Sequence, residues 1–334
     1  MATIKHVAER AGVSTATVSY VLNGTGTITP ATRQRVLAAV ADLNYQPNYA
    51  ARSLRSRSRT LGLVLPAHAA ALGAPARAEI LAGLAERAAT AGYYLLLAHA
   101  NDDQDEALLA EQLVRTGRVE GIALLDTRTD DERVRLLDSQ AIPLVYAGPP
   151  LSGVTSPFVA VDGRHGAQAA VRYLLSLGHR AIGLIMLPLE LAASEAYYDG
   201  YVDALATIGS EPDPTLIITA GLSRADGTTA MQELLALPAP PTAVLACNDE
   251  LAFGAMHAIS EAGLTVGRAI SLVGIDDLPA SAYTIPPLTT LHYPRHTIGS
   301  ELARLLIAQI EQPQPGCGVT LQMQLMIRRS ASRV

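Results

Sequence analysis

The sequence lacks several residue types and patterns that mark whole classes of protein. It has no tryptophan, two phenylalanines and two cysteines, Cys247 and Cys317. So few cysteines, with no CxxC pair and no metal-ligand spacing, predict neither a disulfide framework nor a metal site. No run of about 18 apolar residues is free of charge, so no membrane span is expected. The opening residues MATIKHVAER carry charges and no apolar stretch, unlike a signal peptide, and we expect a cytoplasmic protein.

Charged residues are also scarce, at 17% of 334 residues, and they are unevenly placed. The first 60 residues hold eight lysines and arginines and two acidic residues, a net charge of +6. Because the whole chain carries −6, the remaining residues carry −12. A basic head on an acidic body predicts a polyanionic partner for the head. The alternative, a solvated arginine-rich tail, is disfavoured by the regular helical pattern of the head.

Three short helices are predicted in this head. The first follows Thr3 as N-cap and ends at Gly12, and the second follows Ser14. Thr29 and Pro30 give an N-cap followed by proline, the order preferred at helix starts. A tight glycine-containing turn between the first two helices is typical of a helix-turn-helix, whose second helix enters the major groove with its N-terminus first. A generic helical hairpin is the alternative.

Two segments of the head carry a resemblance that favours the DNA-binding interpretation. "TIKHVAERAGVSTATVSYVLNG" and "TPATRQRVLAAVADLNYQPNYAARSLRSRSRTLGLVLP" closely resemble the headpiece of the lactose/galactose repressor (LacI/GalR) family. The resemblance implies a helix-turn-helix DNA-binding domain over residues 1–47 and a hinge helix and linker over 48–60. It also implies a transcriptional regulator, with repression as the expected mode, that binds a double-stranded, pseudo-palindromic operator as a homodimer.

The candidate DNA contacts have different expected tasks. The hydroxyls of Ser14 and Thr17 can donate to phosphates, and the arginines beside the hinge can contact phosphates without reading sequence. By resemblance, Thr15, Ala16 and Tyr20 read bases. Leu54 is implied as an apolar wedge in the minor groove, the alternative being a leucine that packs between helices. The full set is Ser14, Thr15, Ala16, Thr17, Tyr20, Asn23, Thr32, Arg33, Asn48, Ala51, Arg52, Leu54 and Arg55.

The head departs from the family pattern at two positions. His6 stands where Asp or Glu is usual, so we expect the first helix to lack the acidic half of a capping box. Tyr20 stands where Arg is common, and an Arg there would read guanine bidentately. Tyrosine cannot make that contact, so the operator sequence cannot be taken from better-known members.

The body, residues 61–334, alternates short apolar runs with amphipathic stretches. LGLVLP, GIALLDT, PLVYAG, TAVLACND and SLVGIDD are among the runs, and AEILAGLAERAATAG is one of the stretches. This alternation predicts an α/β core with doubly wound parallel sheets, and its length favours two lobes. Ligands in such folds bind at the carboxyl ends of strands. Polar groups or glycines follow those ends at His68, Asp126, Gly148, Asn248 and Asp276.

The resemblance extends through the body. "AVLACNDELAFGAMHAISEAGLTVGRAISLVGIDD" and "YTIPPLTTL" look like the C-terminal lobe of the same family. This implies an effector-binding and dimerisation core like periplasmic sugar-binding proteins, with three crossovers between its lobes. Lobe one is expected at about 61–159 and 291–318, and lobe two at about 160–290 and 319–334, including the last strand "VTLQMQLMIRRS". The candidate effector residues are His68, Asp126, Gly148, Tyr197, Leu222, Asn248, Asp276 and Tyr293.

Three departures bear on the effector. Tyr197 replaces an Arg, Leu222 stands near an aromatic stacking platform of sugar-binding members, and Gly148 replaces an acidic ligand. The missing Arg disfavours an anionic effector and leaves an uncharged sugar, polyol or nucleoside. Tyr197 and Tyr293 are either stacking residues or core tyrosines with satisfied hydroxyls.

Other interpretations remain open at two points. Asn248 and Asp249 are either effector ligands or the N-cap of the following helix. An enzyme or a solute-binding receptor with the same two-lobed core is the alternative function. However, the sequence has no GxGxxG after a strand, no GxxxxGK[ST], no HExxH and no GxSxG. We therefore expect no enzymatic activity, no cofactor and no metal.

Overall fold

The computed structural model describes residues 2–23, 26–43, 45, 58–65, 75–100, 103–313, 316 and 318–334. The chain divides into two compact units, Met1–Ser58 and Arg59–Val334. The predicted hinge at 48–60 lies outside the described residues except for its last three.

The first unit is a three-helix headpiece. Its helices are α1 (Ile4–Ala11), α2 (Thr15–Asn23) and α3 (Pro30–Asp42). Each helix contributes one fully buried valine to a shared core, and these are Val7, Val18 and Val36. Because this core occupies the inner faces of the helices, the opposite face of α2 remains exposed.

The start of α1 tests the expectation for His6. The Thr3 hydroxyl accepts from the His6 backbone N–H at 3.4 Å, and the Thr3 N–H donates to Nδ1 of His6 at 3.3 Å. The acidic residue is missing, as expected from the sequence, but the capping box is still complete because His6 takes its place. The physical reason is that an imidazole nitrogen can accept the hydrogen bond that a carboxylate usually accepts.

The second unit contains two six-stranded sheets that define two lobes. Sheet one has the order β11-β5-β4-β3-β1-β2 and sheet two the order β12-β10-β9-β8-β6-β7. Every pair of neighbouring strands is parallel except β10 and β12. The predicted α/β core with doubly wound parallel sheets is confirmed, with one antiparallel edge strand.

The elements of lobe one surround sheet one. Its strands are β1 (Thr60–Leu65), β2 (Tyr94–His99), β3 (Gly121–Leu124), β4 (Leu144–Ala147), β5 (Phe158–Val161) and β11 (Gly318–Leu321). Its helices are α4 (Pro75–Thr90), α5 (Asp103–Arg115), α6 (Glu132–Ser139) and α11 (Arg295–Glu311). Strand β1 lies between β3 and β2 and is buried from its second residue onward, as expected for a parallel strand covered on both faces.

Lobe two repeats this plan around sheet two. Its strands are β6 (Ile182–Met186), β7 (Ile217–Thr219), β8 (Ala243–Ala246), β9 (Ser271–Asp276), β10 (Thr289–His292) and β12 (Gln324–Met326). Its helices are α7 (Gly163–Ser176), α8 (Ala192–Ala206), α9 (Arg224–Leu235) and α10 (Asp249–Glu261). No helix among the described residues is long and apolar enough to cross a membrane.

Within the described residues, the chain crosses between the lobes three times, each time within two residues. The crossovers lie at Asp162, at Tyr293–Pro294 and at Gln322–Met323. The strands that precede the crossovers end two or three residues beyond the boundaries expected from the sequence, at Val161, His292 and Leu321. The segment expected as one strand of lobe two, 319–330, is divided: Val319 pairs with Val159 in sheet one, and Leu325 pairs with Leu291 in sheet two. An apolar alternation does not specify which sheet a strand joins, so the sequence pattern missed this division.

Candidate functional site

The first candidate site is the exposed start of α2 in the headpiece. Ser14, Thr15 and Ala16 are exposed, and Thr17 is half-buried. Ser14 Oγ accepts from the Thr17 N–H at 3.1 Å and lies 2.9 Å from Thr17 Oγ1. Ser14 therefore caps the helix, and the two hydroxyls share a hydrogen bond that leaves one O–H available to an outside acceptor. The surface is small, polar and uncharged.

Tyr20 lies on the same helix and is 50% exposed. Its ring packs beside the turn at Gly26, where an added Cβ would lie 3.5 Å from the Tyr20 Cγ. This contact supports the ring without burying it. At the start of α3, Thr32 is half-buried and hydrogen-bonded to Thr29, while Arg33 is exposed.

Several predicted DNA contacts cannot be placed. Asn23 is the last residue of α2, and its side chain is outside the described atoms. Asn48, Ala51, Arg52, Leu54 and Arg55 all lie outside the described residues. Their roles stay predictions.

The second candidate site lies between the lobes, and we call it the interlobe site. It is formed by Asp126, Tyr197, Asp276, Tyr293 and Arg295. Asp276 ends β9 and Tyr197 lies in α8, both in lobe two, whereas Asp126 follows β3 of lobe one. Tyr293 and Arg295 come from the second crossover and the helix that follows it.

A salt bridge between Asp276 and Arg295 is central to the interlobe site. Arg295 Nη2 lies 2.5 Å from Asp276 Oδ1, and Arg295 Nη1 donates to the Asp276 carbonyl oxygen at 2.5 Å. The Arg295 side chain is 4% exposed and that of Asp276 is 22% exposed. Burial raises the pKa of Asp276 to about 7, even though the positive charge of Arg295 opposes that shift. The backbone of Asp276 has a φ of +132°, which a non-glycine residue rarely adopts.

Both tyrosines lie close enough to this salt bridge to interact with its charges. The Arg295 guanidinium carbon lies 5.2 Å from the centre of the Tyr293 ring, a cation–π contact. Burial raises the pKa of Tyr293 to about 12, and the charges of Asp276 and Asp126 add to the shift. Burial also raises the pKa of Tyr197, with Tyr293 and Asp276 contributing. The residues thus act on one another across the two lobes.

The Tyr197 hydroxyl differs from that of an ordinary core tyrosine. One helical turn later, the buried Tyr201 donates its hydroxyl to the Ile182 carbonyl at 2.7 Å. Tyr197 is 4% exposed, yet no described residue hydrogen-bonds to its hydroxyl, and the same holds for Tyr293. Both phenols retain a donor and an acceptor within the interlobe site.

On the lobe-one side, the candidates Asp126 and Gly148 follow the ends of β3 and β4. Asp126 forms an ion pair with Arg77 of α4, and Nη1 of Arg77 is buried with no hydrogen-bond partner among the described residues. A Cβ at Gly148 would lie 1.9 Å from Thr127 Oγ1. No side chain can therefore occupy position 148 while Thr127 donates to the Ala147 carbonyl at 2.7 Å.

Asn248 and Asp249 both have structural partners. Asn248 caps α10, accepting from the Leu251 N–H at 2.6 Å, and its Nδ2 donates to the Leu222 carbonyl at 3.3 Å. Asp249 is fully buried and accepts hydrogen bonds from Leu278, Ser281 and Thr290. The side chain of Leu222 is 52% exposed.

Sequence reasoning missed Arg295 and Arg77. Arg295 begins α11, three residues after the carboxyl end of β10. That placement was a usable signal. Arg77 follows the undescribed segment 66–74, which also contains the predicted ligand His68, and it carries no comparable signal.

Two alternative chemistries find no support in the described part of the chain. Cys247 is buried, and burial raises the pKa of its thiol to about 12, so it holds no thiolate at neutral pH. No group of three or more described His, Cys, Asp or Glu side chains could hold a metal ion.

Comparison with known proteins finds matches to both units of the chain. Residues 3–48 match the family of bacterial regulatory proteins of the lacI type, and residues 171–331 match a periplasmic binding protein-like domain. The transcriptional repressor PurR of Pasteurella multocida is 32% identical over 333 residues, covering 99% of this chain and 98% of the relative. The repressor CytR of Escherichia coli is 34% identical over 334 residues, with 99% and 96% covered.

Solved structures show the same similarity. The Lac repressor dimer bound to operator and the anti-inducer ONPF matches with a TM-score of 0.89 and 28% identity, over 99% of both chains. A complex of the regulator CelR with cellobiose matches with a TM-score of 0.76 and 32% identity, over 99% of this chain and 100% of that one. A regulator from Enterococcus faecium with bound ribose matches with a TM-score of 0.70 and 26% identity, over 82% and 99%. This chain belongs to the LacI family of bacterial DNA-binding transcription regulators.

Proposed function

We propose that this protein is a cytoplasmic, homodimeric transcriptional repressor whose affinity for a pseudo-palindromic operator is controlled by a small uncharged effector. The observation that carries the DNA-binding part is the exposed, uncharged N-terminal turn of α2 on a buried three-helix core. A helix end of this kind fits the major groove, because it offers short side chains and no repulsive charge.

Within the headpiece, base reading falls to Thr15, Ala16 and Tyr20. The methyl groups of Thr15 and Ala16 favour contact with thymine methyls. Ser14, Thr17, Thr32 and Arg33 contact phosphates, which adds affinity that is independent of sequence. Residues 48–57 contribute the hinge, with Leu54 inserted in the minor groove.

Two features of the interlobe site support an uncharged effector. Its charged groups form two ion pairs, Asp276 with Arg295 and Asp126 with Arg77, so no net charge is offered to a ligand. The Tyr197 and Tyr293 hydroxyls and Nη1 of Arg77 offer hydrogen bonds that no described residue uses. A sugar, polyol or nucleoside presents matching hydroxyls, and the relatives with bound cellobiose and ribose hold ligands of this class.

An effector controls DNA binding only through a difference in its affinity for two lobe arrangements. The interlobe site draws residues from both lobes and from a crossover, so a ligand held there contacts groups that move relative to one another. This arrangement supports coupling to the hinge of residues 48–57.

The experiment that tests the proposal is selection of duplexes from a randomised pool by the full-length protein, followed by gel shift of the selected sequence. We expect a pseudo-palindrome that the protein retards as a dimer. A solute-binding receptor or an enzyme with the same core would select no sequence, and that result would refute the repressor assignment. Thermal-shift screening of uncharged sugars, polyols and nucleosides then tests the effector class.

A further inference from the structure

Arg295 is not among the effector residues predicted from the sequence. The family pattern places an arginine at position 197 of α8, in lobe two, and this chain has Tyr197 there. A guanidinium nevertheless enters the interlobe site from the opposite side, because Arg295 begins α11 of lobe one. Its charge acts on Tyr197, lowering the pKa of that phenol against the raising effect of burial.

We propose that Arg295 sets the charge preference of the interlobe site, holding Asp276 as a neutralised acceptor so that the site accepts an uncharged polyhydroxy ligand. This inference rests on the proposed function for the identity of the effector class.

The geometry leaves the guanidinium little freedom. Nη1 and Nη2 of Arg295 are engaged by the carbonyl and carboxylate oxygens of Asp276, and the guanidinium lies over the Tyr293 ring. Arg295 is thus a positioning residue for Asp276. A ligand anion would have to displace Asp276 from Arg295, and both groups would then lose a charge-assisted hydrogen bond.

A ligand hydroxyl faces no such competition. Asp276 Oδ1 is held by Arg295, and the carboxylate remains partly exposed, so it can still accept from a hydroxyl. The phenols of Tyr197 and Tyr293 can donate to the same ligand. Neutral donors and acceptors therefore satisfy every group without separating a buried ion pair.

Removing Arg295 should reverse the preference. Among the described residues, Asp249 acts on Asp276 and Asp126 acts on Tyr293. The neighbouring Asp277 forms a salt bridge with Arg328 and lies 3.1 Å from His292. With Arg295 replaced by a neutral side chain, Asp276 would lose the positive charge that stabilises its carboxylate, and a ligand cation would supply that charge instead. Such a site favours a ligand cation.

The experiment compares the full-length protein with three variants by calorimetric titration. Arg295→Gln removes the charge and Arg295→Lys retains it. Arg304→Gln, on the same helix, is the matched control, because it removes a partly exposed ion pair with Glu301. The probes are D-ribose and cellobiose as neutral sugars, D-glucosamine at a pH where its amine is protonated, N-acetylglucosamine as its uncharged counterpart, and D-gluconate as an anion.

We expect the wild type and Arg304→Gln to bind a neutral sugar and no charged probe. Arg295→Gln should lose about tenfold or more in affinity for that sugar, the range for a hydrogen-bonded charged group, and gain binding of D-glucosamine but not of N-acetylglucosamine. Arg295→Lys should restore the neutral preference.

Two results would overturn the inference. One is an Arg295→Gln variant, folded by circular dichroism, that binds the neutral sugar like the wild type. The other is a folded variant that gains no affinity for D-glucosamine. If the wild type binds no neutral probe while Arg295→Gln gains D-glucosamine, the charge role of Arg295 stands and the proposed effector class fails.

Discussion

Asp249 gives the sharpest prediction about stability, because its carboxylate is fully buried and fully engaged. It accepts from the Leu278 N–H at 2.8 Å, from Ser281 Oγ at 2.5 Å and from Thr290 Oγ1 at 2.6 Å. Replacing it by alanine leaves a buried backbone N–H and two buried hydroxyls without their acceptor. A buried donor left unsatisfied costs about 1–3 kcal/mol.

The expected magnitude for Asp249→Ala follows from two opposing effects. The lost hydrogen bonds to a charged acceptor cost several kcal/mol, while relief of the buried charge returns part of that cost. Burial raises the pKa of Asp249 to about 6, and this shift reflects the free-energy cost of removing the charged carboxylate from water. We expect the free energy of unfolding of lobe two to fall by roughly 3 kcal/mol at neutral pH.

The pH dependence adds an independent check. The pKa of Asp249 is higher in the folded protein than its ordinary value, so the folded state binds this proton more tightly than the unfolded state. The contribution of this group is therefore largest at acid pH and declines as pH rises through about 6. The difference between wild type and Asp249→Ala should be larger at pH 5 than at pH 8.

The assay is urea unfolding followed by circular dichroism, with Asn248→Ala as the control. That control removes only a helix cap and should cost about 1 kcal/mol. A loss for Asp249→Ala no greater than that of the control, or a difference that grows with pH, would refute the assignment of Asp249 as a buried support.

Three further predictions concern function. Leu54→Ala should lose specific operator affinity in gel shift while keeping much of the non-specific binding, because only the bent complex uses the wedge; equal losses on both DNAs would exclude it. Asp276→Ala should retain operator binding and abolish the effector response, because it removes the acceptor of the interlobe site; an unchanged response would remove Asp276 from that site. Sedimentation should show a dimer, the closed two-fold assembly that suits a palindrome, and a tetramer at micromolar concentration would contradict it.

Local signals in the sequence predicted much of the fold. The Thr29–Pro30 start of α3 and the glycine after α1 follow from backbone chemistry, and the structure has helices with those bounds. The two parallel sheets follow from alternating apolar runs and amphipathic helices. What the sequence could not supply was the sheet that each end of the last segment joins, because Val319 and Leu325 have similar local patterns and different distant partners.

The interlobe site was predictable in outline for the same reason. Asp276 ends a strand of sheet two and Asp126 follows a strand of sheet one, and ligands of such folds bind at the carboxyl ends of strands. The partners of these residues depend on long side chains that arrive from elsewhere, such as Arg295 from a helix start. Asn248 and Asp249 could not be told apart from the sequence. Asn248 caps the start of α10, whereas Asp249 is buried and accepts three hydrogen bonds, and only the structure shows this difference.

The position of the crossovers has a mechanical consequence. The first and third are joined by hydrogen bonds, from the Asp162 N–H to the Leu321 carbonyl at 2.9 Å and from Gln322 Nε2 to Asp162 at 3.2 Å, and the second carries Tyr293 directly into Arg295. In the proposed mechanism, a ligand that touches Tyr293 and Arg295 acts beside the chain segments that join the two lobes. Because the lobes extend away from these segments, a displacement of a fraction of an ångström there would move the far ends of the lobes by a larger distance. A small ligand would thus change the arrangement of the two lobes with little movement at its own binding site.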